Sequence, residues 1–116
     1  MTTQSFEECT TKLMAPSLEL ISKMRLDGID LAVTRPVTHL LVGDEAKIAI
    51  AKVFFAEKGF DLLEASNGRL LLGDEVPLSE DWASDIIPKI CSKAAEFGLT
   101  YDGWDVDMSN DRTKQN

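Results

Sequence analysis

Apolar runs long enough to cross a bilayer are missing from this 116-residue chain. Stretches such as Leu40–Val42 and Ile48–Ala51 fall far short of the roughly 18 to 20 residues a membrane helix needs. Basic residues are the minority, 12 against 20 acidic ones, and the net charge of -8 sets an averaged field that repels phosphate backbones. Nucleic acid is therefore disfavoured as a direct partner. There is no repeat, no low-complexity tract and no Gly/Ser linker, which leaves a chain the size of one domain with one core. Only two cysteines are present, Cys9 and Cys91, far apart and without C-x-x-C spacing or a neighbouring histidine. No charged and apolar leader opens the chain. Both cysteines are expected to be small buried hydrophobes in a reduced, cytoplasmic protein.

What is there divides into seven elements separated by turn signals. Ser5 and Glu8 stand at capping-box spacing and open a helix that runs to about Arg25, with a kink or break expected near Ala15 because Pro16 lacks an amide hydrogen. Val37 to Val42, entered from Pro36, has the β-rich composition of a strand. Asp44 as N-cap, Lys58 in the last turn and Gly59 just beyond mark a helix over Glu45 to Lys58. Asn67-Gly68, tolerant of positive φ at both positions, joins Phe60–Ala65 and Arg69–Gly73 as a tight hairpin. A further helix lies between Ser79 and Phe97, its regular part expected from about Asp85 so that Pro88 falls in the first turn, and Gly98 ends it. The last strand covers Leu99 to Met108, with Trp104, Val106 and Met108 on one side and Tyr101 and Gly103 on the other.

The order β, α, β, β, α, β with right-handed crossovers predicts an α+β, ferredoxin-like antiparallel sheet with two helices on one face, preceded by an N-terminal helix. Residues 1–26 are expected to form the helical segment, 35–108 the domain and 109–116 a flexible tail. The strands carry apolar residues on both faces, as in Leu40-Leu41, Leu62-Leu63 and Leu71-Leu72. The second face needs a cover, either the N-terminal helix or a second copy of the chain.

Catalysis finds little support. His39, the sole histidine, shares a strand face with Val37 and Leu41 and reads as a hydrogen-bonded structural residue. Asp44-Glu45, Asp74-Glu75 and Glu80-Asp81 are adjacent acids explained by helix starts and turns, and adjacent acids do not face each other across a substrate. Gly43-Asp44 lacks the G-x-G-x-x-G spacing of a phosphate loop. No metal or cofactor is expected. Charge is more telling: residues 59–108 hold eleven Asp or Glu and three Lys or Arg, so this segment alone accounts for the whole balance of -8. It is either an ordinary solvated face or a docking surface for a basic partner, with Glu80 and Asp81 as candidate contacts. On the helix from Glu45, Ile50, Val53 and Phe54 cluster, while Ile48 and Phe55 point nearly opposite. That second pair is expected to lie beneath the N-terminal helix or to form a protein-binding or dimer patch.

Tyr101-Asp102-Gly103-Trp104, just after a helix ending in Ala95-Glu96-Phe97, resembles the signature of the RraB family, regulators of ribonuclease E activity. Asp27-Gly28-x-Asp30, His39, Asp44-Glu45 and Lys58-Gly59-Phe60 fall in family-like order and spacing, so the resemblance covers roughly residues 17 to 108. It implies a non-enzymatic protein that binds ribonuclease E, chiefly its scaffold region, and modulates RNA decay by protein contact. Enteric members end in a long acidic tail, whereas Ser109 to Asn116 here is short with net charge +1. Taken as residues, Trp104 and Tyr101 suit either a core edge or an interface anchor, Gly103 suits a bulge and Asp102 a turn-holding acceptor. The competing reading is a small-ligand-sensing or interaction module that dimerises through its sheet face.

Overall fold

The computed structural model describes residues 4–108, so the predicted tail at 109–116 lies outside the described residues. The elements run α1 (Phe6–Leu26), β1 (Arg35–Val42), α2 (Glu45–Glu57), β2 (Asp61–Ser66), β3 (Arg69–Val76), α3 (Glu80–Phe97) and β4 (Thr100–Val106). The four strands form one antiparallel sheet in the order β2-β3-β1-β4. This α+β architecture is compatible with a ferredoxin-like fold.

Local chemistry accounts for most boundaries. Ser5 and Glu8 form the reciprocal capping box at the start of α1. The Asp44 side chain accepts from the Ala46 amide at the start of α2, and Ser79 accepts from Trp82 at the start of α3. Asn67 and Gly68 both take positive φ, 57° and 75°, which gives the twist a two-residue hairpin requires.

Pro16 and Pro88 both lie inside continuous helices. Pro16 does not break α1, and Pro88 sits well inside α3, which is regular from Glu80. The carbonyls deprived of a partner belong to Lys12 and Ser84, both exposed residues, so water can satisfy them. Beside Pro16, the Ser17 hydroxyl donates to the Leu13 carbonyl at 2.6 Å and ties the interrupted turn together.

The helices share one side of the sheet. α2 packs on β2 and β3, α3 on β4 and α2, and α1 along α3 with a contact to β4. α1 and α3 run antiparallel: Cys9 meets Cys91 near one end, and Arg25 grips Glu80 through two 2.6 Å hydrogen bonds at the other. In β1, Arg35, Val37, His39 and Leu41 alternate as buried residues with exposed or half-buried Pro36, Thr38, Leu40 and Val42. The main core gathers Leu41, Leu70 and Leu72 beneath Ile48, Phe55, Ile87, Ile90 and Ile21. The N-terminal helix therefore joins the helix layer and does not cover the second sheet face, where Leu40 and Leu71 stay half-buried. Its apolar stripe is satisfied by α3 instead.

The cysteines also depart from expectation. Cys9 and Cys91 are joined as a disulfide linking α1 to α3 across 82 residues. Linear spacing carried no sign of the pairing, because antiparallel docking of two helices brings the residues together. Both are sealed from solvent, so a reductant reaches the bond only when α1 lifts from α3. The expectation of two unpaired cysteines is overturned, and with it the argument from cysteine usage for a reduced compartment.

Candidate functional site

The residues that carry the sequence signature converge where β1 meets β4. Leu41 pairs with Tyr101 and Leu40 with Gly103, so Asp102 is the extra residue of a bulge, and Gly103 takes φ 112°. A side chain at that φ would be strained, which explains the glycine. The bulge also resets the alternation: His39 pairs with Trp104, and Tyr101 and Trp104 both face the helix layer. A strict period of two had placed them on opposite sides, and the extra residue is the physical reason for the difference.

Tyr101 and His39 are 0% and 1% exposed, and the Tyr101 oxygen lies 2.6 Å from His39 Nδ1. Phe60 meets the imidazole edge-on at 5.9 Å, with Trp82 at 6.2 Å. Burial lowers the His39 pKa to about 4 and pushes that of Tyr101 up, so two neutral rings share the hydrogen bond at neutral pH. Trp104 is half-buried, edge-on to Trp82 at 5.0 Å, and its indole N–H donates to Ser17 at 2.8 Å. Ser17 in turn donates to Leu13, so β4 is joined to α1 by a two-step relay. The Gln4 side chain accepts from the Tyr101 amide at 3.1 Å. This arrangement holds strand, helix and N-terminal segment in one register, and its solvent-exposed member is Asp102.

The remaining candidates divide into exposed and interior positions. Asp81 is exposed at the start of α3, and Glu80 is engaged by Arg25, which draws its carboxyl down to about 2. Ile48 and Phe55 are each 2% exposed and form part of the core, so neither offers a surface. The outward face of α2 belongs to Ile50, 63% exposed, and Val53, 55% exposed. Sequence reasoning missed Trp82, Ser17 and the buried Arg35, which donates to the Val33 carbonyl at 3.2 Å. Trp82 had a signal available, standing three residues from the cap Ser79 on the buried side of its helix.

A pH dependence follows from His39. The unfolded chain protonates it below its ordinary value near 6.5, whereas the folded chain resists until about 4. The contribution is fully present above pH 6.5 and is lost as pH falls through 4, about 3 kcal/mol in total. Urea unfolding between pH 7 and pH 4.5 is expected to show a shallower loss of stability in His39→Gln than in the parent. Equal slopes would remove His39 as the cause.

No family model matches the chain, and no curated protein matches it. Among the described residues no group of three or more His, Cys, Asp or Glu side chains is placed to hold a metal ion, and no helix is long and apolar enough to cross a membrane.

Proposed function

We propose that the chain is a non-enzymatic regulatory module of the RraB type, built on a ferredoxin-like βαββαβ domain, that binds ribonuclease E and modulates RNA cleavage by protein contact. The observation that carries this reading is the meeting of His39 with Tyr101 at the β4 bulge. Two residues of the family-like pattern, 62 positions apart, form one buried hydrogen bond there. The Asp102-Gly103 bulge that follows turns a carboxylate outward on an edge strand.

Asp102 and Asp81, with the other acids of residues 59–108, supply the charge that would attract a basic segment of the ribonuclease scaffold. Ile50 and Val53 form a separate exposed apolar patch on α2, over the β2 side of the sheet. Adding the protein to the source organism's ribonuclease E and an RNA substrate is expected to lower the initial cleavage rate, with saturation near one-to-one. An unchanged rate at tenfold excess would contradict the reading. Charge reversal in Asp81→Lys/Asp102→Lys is expected to weaken scaffold binding about tenfold while leaving the circular dichroism spectrum unchanged, both sites being exposed. Unchanged affinity would remove these carboxylates from the contact.

A second reading rests on the uncovered sheet face. Leu40 and Leu71 pair across β1 and β3, and Leu63, 57% exposed, lies over Gly73, where a Cβ would stand 3.1 Å from it. An apolar row of this kind supports dimerisation through the sheet. Sedimentation giving twice the monomer mass, abolished by Leu63→Glu, would favour it.

A further inference from the structure

A concavity with a volume of about 720 Å³ lies between α2 and α3. Phe54, Phe60, Ile86 and Ile90 line it, and Phe6 of α1 contributes from a half-exposed position. Its polar lining is unusual for so acidic a chain: Lys58, Lys89 and Lys93 contribute to it, against one carboxylate, Asp74.

Two of these lysines lie against the apolar surface. Lys58 Nζ stands 5.5 Å and Lys93 Nζ 4.8 Å from the centre of the Phe54 ring, so both ammonium groups lie against the aromatic wall. Lys93 also pairs with Glu96 at 3.1 Å and Lys89 with Asp85 at 3.0 Å. Both are short-range pairs on the surface of one helix, and such pairs are weak enough for a competing carboxylate to displace.

We propose that this groove binds a small apolar carboxylate, its hydrocarbon part against Phe54, Phe60 and Ile86 and its carboxylate facing Lys58 and Lys93. Three observations carry the inference. The volume falls in the range of small-ligand sites, roughly 300 to 1,000 Å³. Aromatic and aliphatic side chains supply most of the wall. The wall carries three ammonium groups against one carboxylate, and two of them, Lys89 and Lys93, are held only by weak surface pairs with Asp85 and Glu96 that an incoming carboxylate can replace. The site is independent of the ribonuclease reading, which uses acidic residues elsewhere.

Calorimetric titration with decanoate, kept below its micelle concentration, and with decan-1-ol as the uncharged probe tests the proposal. Decanoate is expected to bind at one site and more tightly than the alcohol. Lys58→Gln/Lys93→Gln is expected to weaken decanoate about tenfold and the alcohol less than twofold. Raising the salt concentration on the unmodified protein is expected to reproduce that selective loss, a readout that does not depend on the variant folding. Absence of saturable decanoate binding, or equal loss for both probes, would overturn it.

Discussion

Replacing Cys9 and Cys91 together by alanine is expected to lower the unfolding free energy by about 4.5 kcal/mol at 25 °C. The bond closes a loop spanning 82 residues of sequence, and in the chain-entropy account a loop of that length removes this much freedom from the unfolded ensemble. Total stabilities of domains lie around 5 to 15 kcal/mol, so the loss would consume much of the margin. In urea the midpoint should fall by about 2 M, and the denaturant slope should rise because the unfolded chain is no longer cross-linked. The parent protein unfolded in reductant should match the variant. A midpoint unmoved by either treatment would contradict a stabilising Cys9–Cys91 bond.

Phe55→Ala is expected to cost about 3 to 5 kcal/mol in stability, because it empties a site enclosed by Phe54, Phe60 and Phe97, with ring centroids 5.2, 5.7 and 6.5 Å away. Ile50→Ala and Val53→Ala, on the outward face of the same helix, should change stability by no more than about 0.5 kcal/mol each. Paired thermal melts read this contrast directly. A mild Phe55 effect with a severe Ile50 or Val53 effect would reverse the orientation of α2. It would also return Ile48 and Phe55 to the list of contact residues.

That orientation marks where sequence stops being informative. α2 carries Ile48, Ala51 and Phe55 along one arc and Ile50, Val53 and Phe54 along the other, two apolar arcs of comparable size. With no polar face to decide between them, the period of 3.6 residues specifies a helix but not its inward side. Elements closed by local chemistry were legible: the capping box at Ser5, the Asp44 cap, the Asn67-Gly68 hairpin and the Gly98 stop depend on neighbours in the chain. Features made by distant residues were not. The disulfide, the placement of α1 beside α3, the Trp104–Ser17–Leu13 relay and the Arg25–Glu80 pair all arise from packing across 50 or more positions.

Of the signature residues, Gly103 was legible as a bulge because an interior glycine in a strand weakens pairing and so marks irregularity. The consequence of the bulge was not legible, since one extra residue reverses the face of everything before it and carries Tyr101 into the core beside His39. The prolines show the converse. Pro16 and Pro88 carry a strong local rule, and solvent access at Lys12 and Ser84 relaxes it.

Calorimetric titration of the full chain against the scaffold and catalytic portions of its own organism's ribonuclease E, at low and high salt, tests the central claim most directly. Saturable binding to the scaffold portion, weakening about tenfold as salt screens the acidic face, is the result the account predicts. Absence of binding to both portions at both salt concentrations would contradict it.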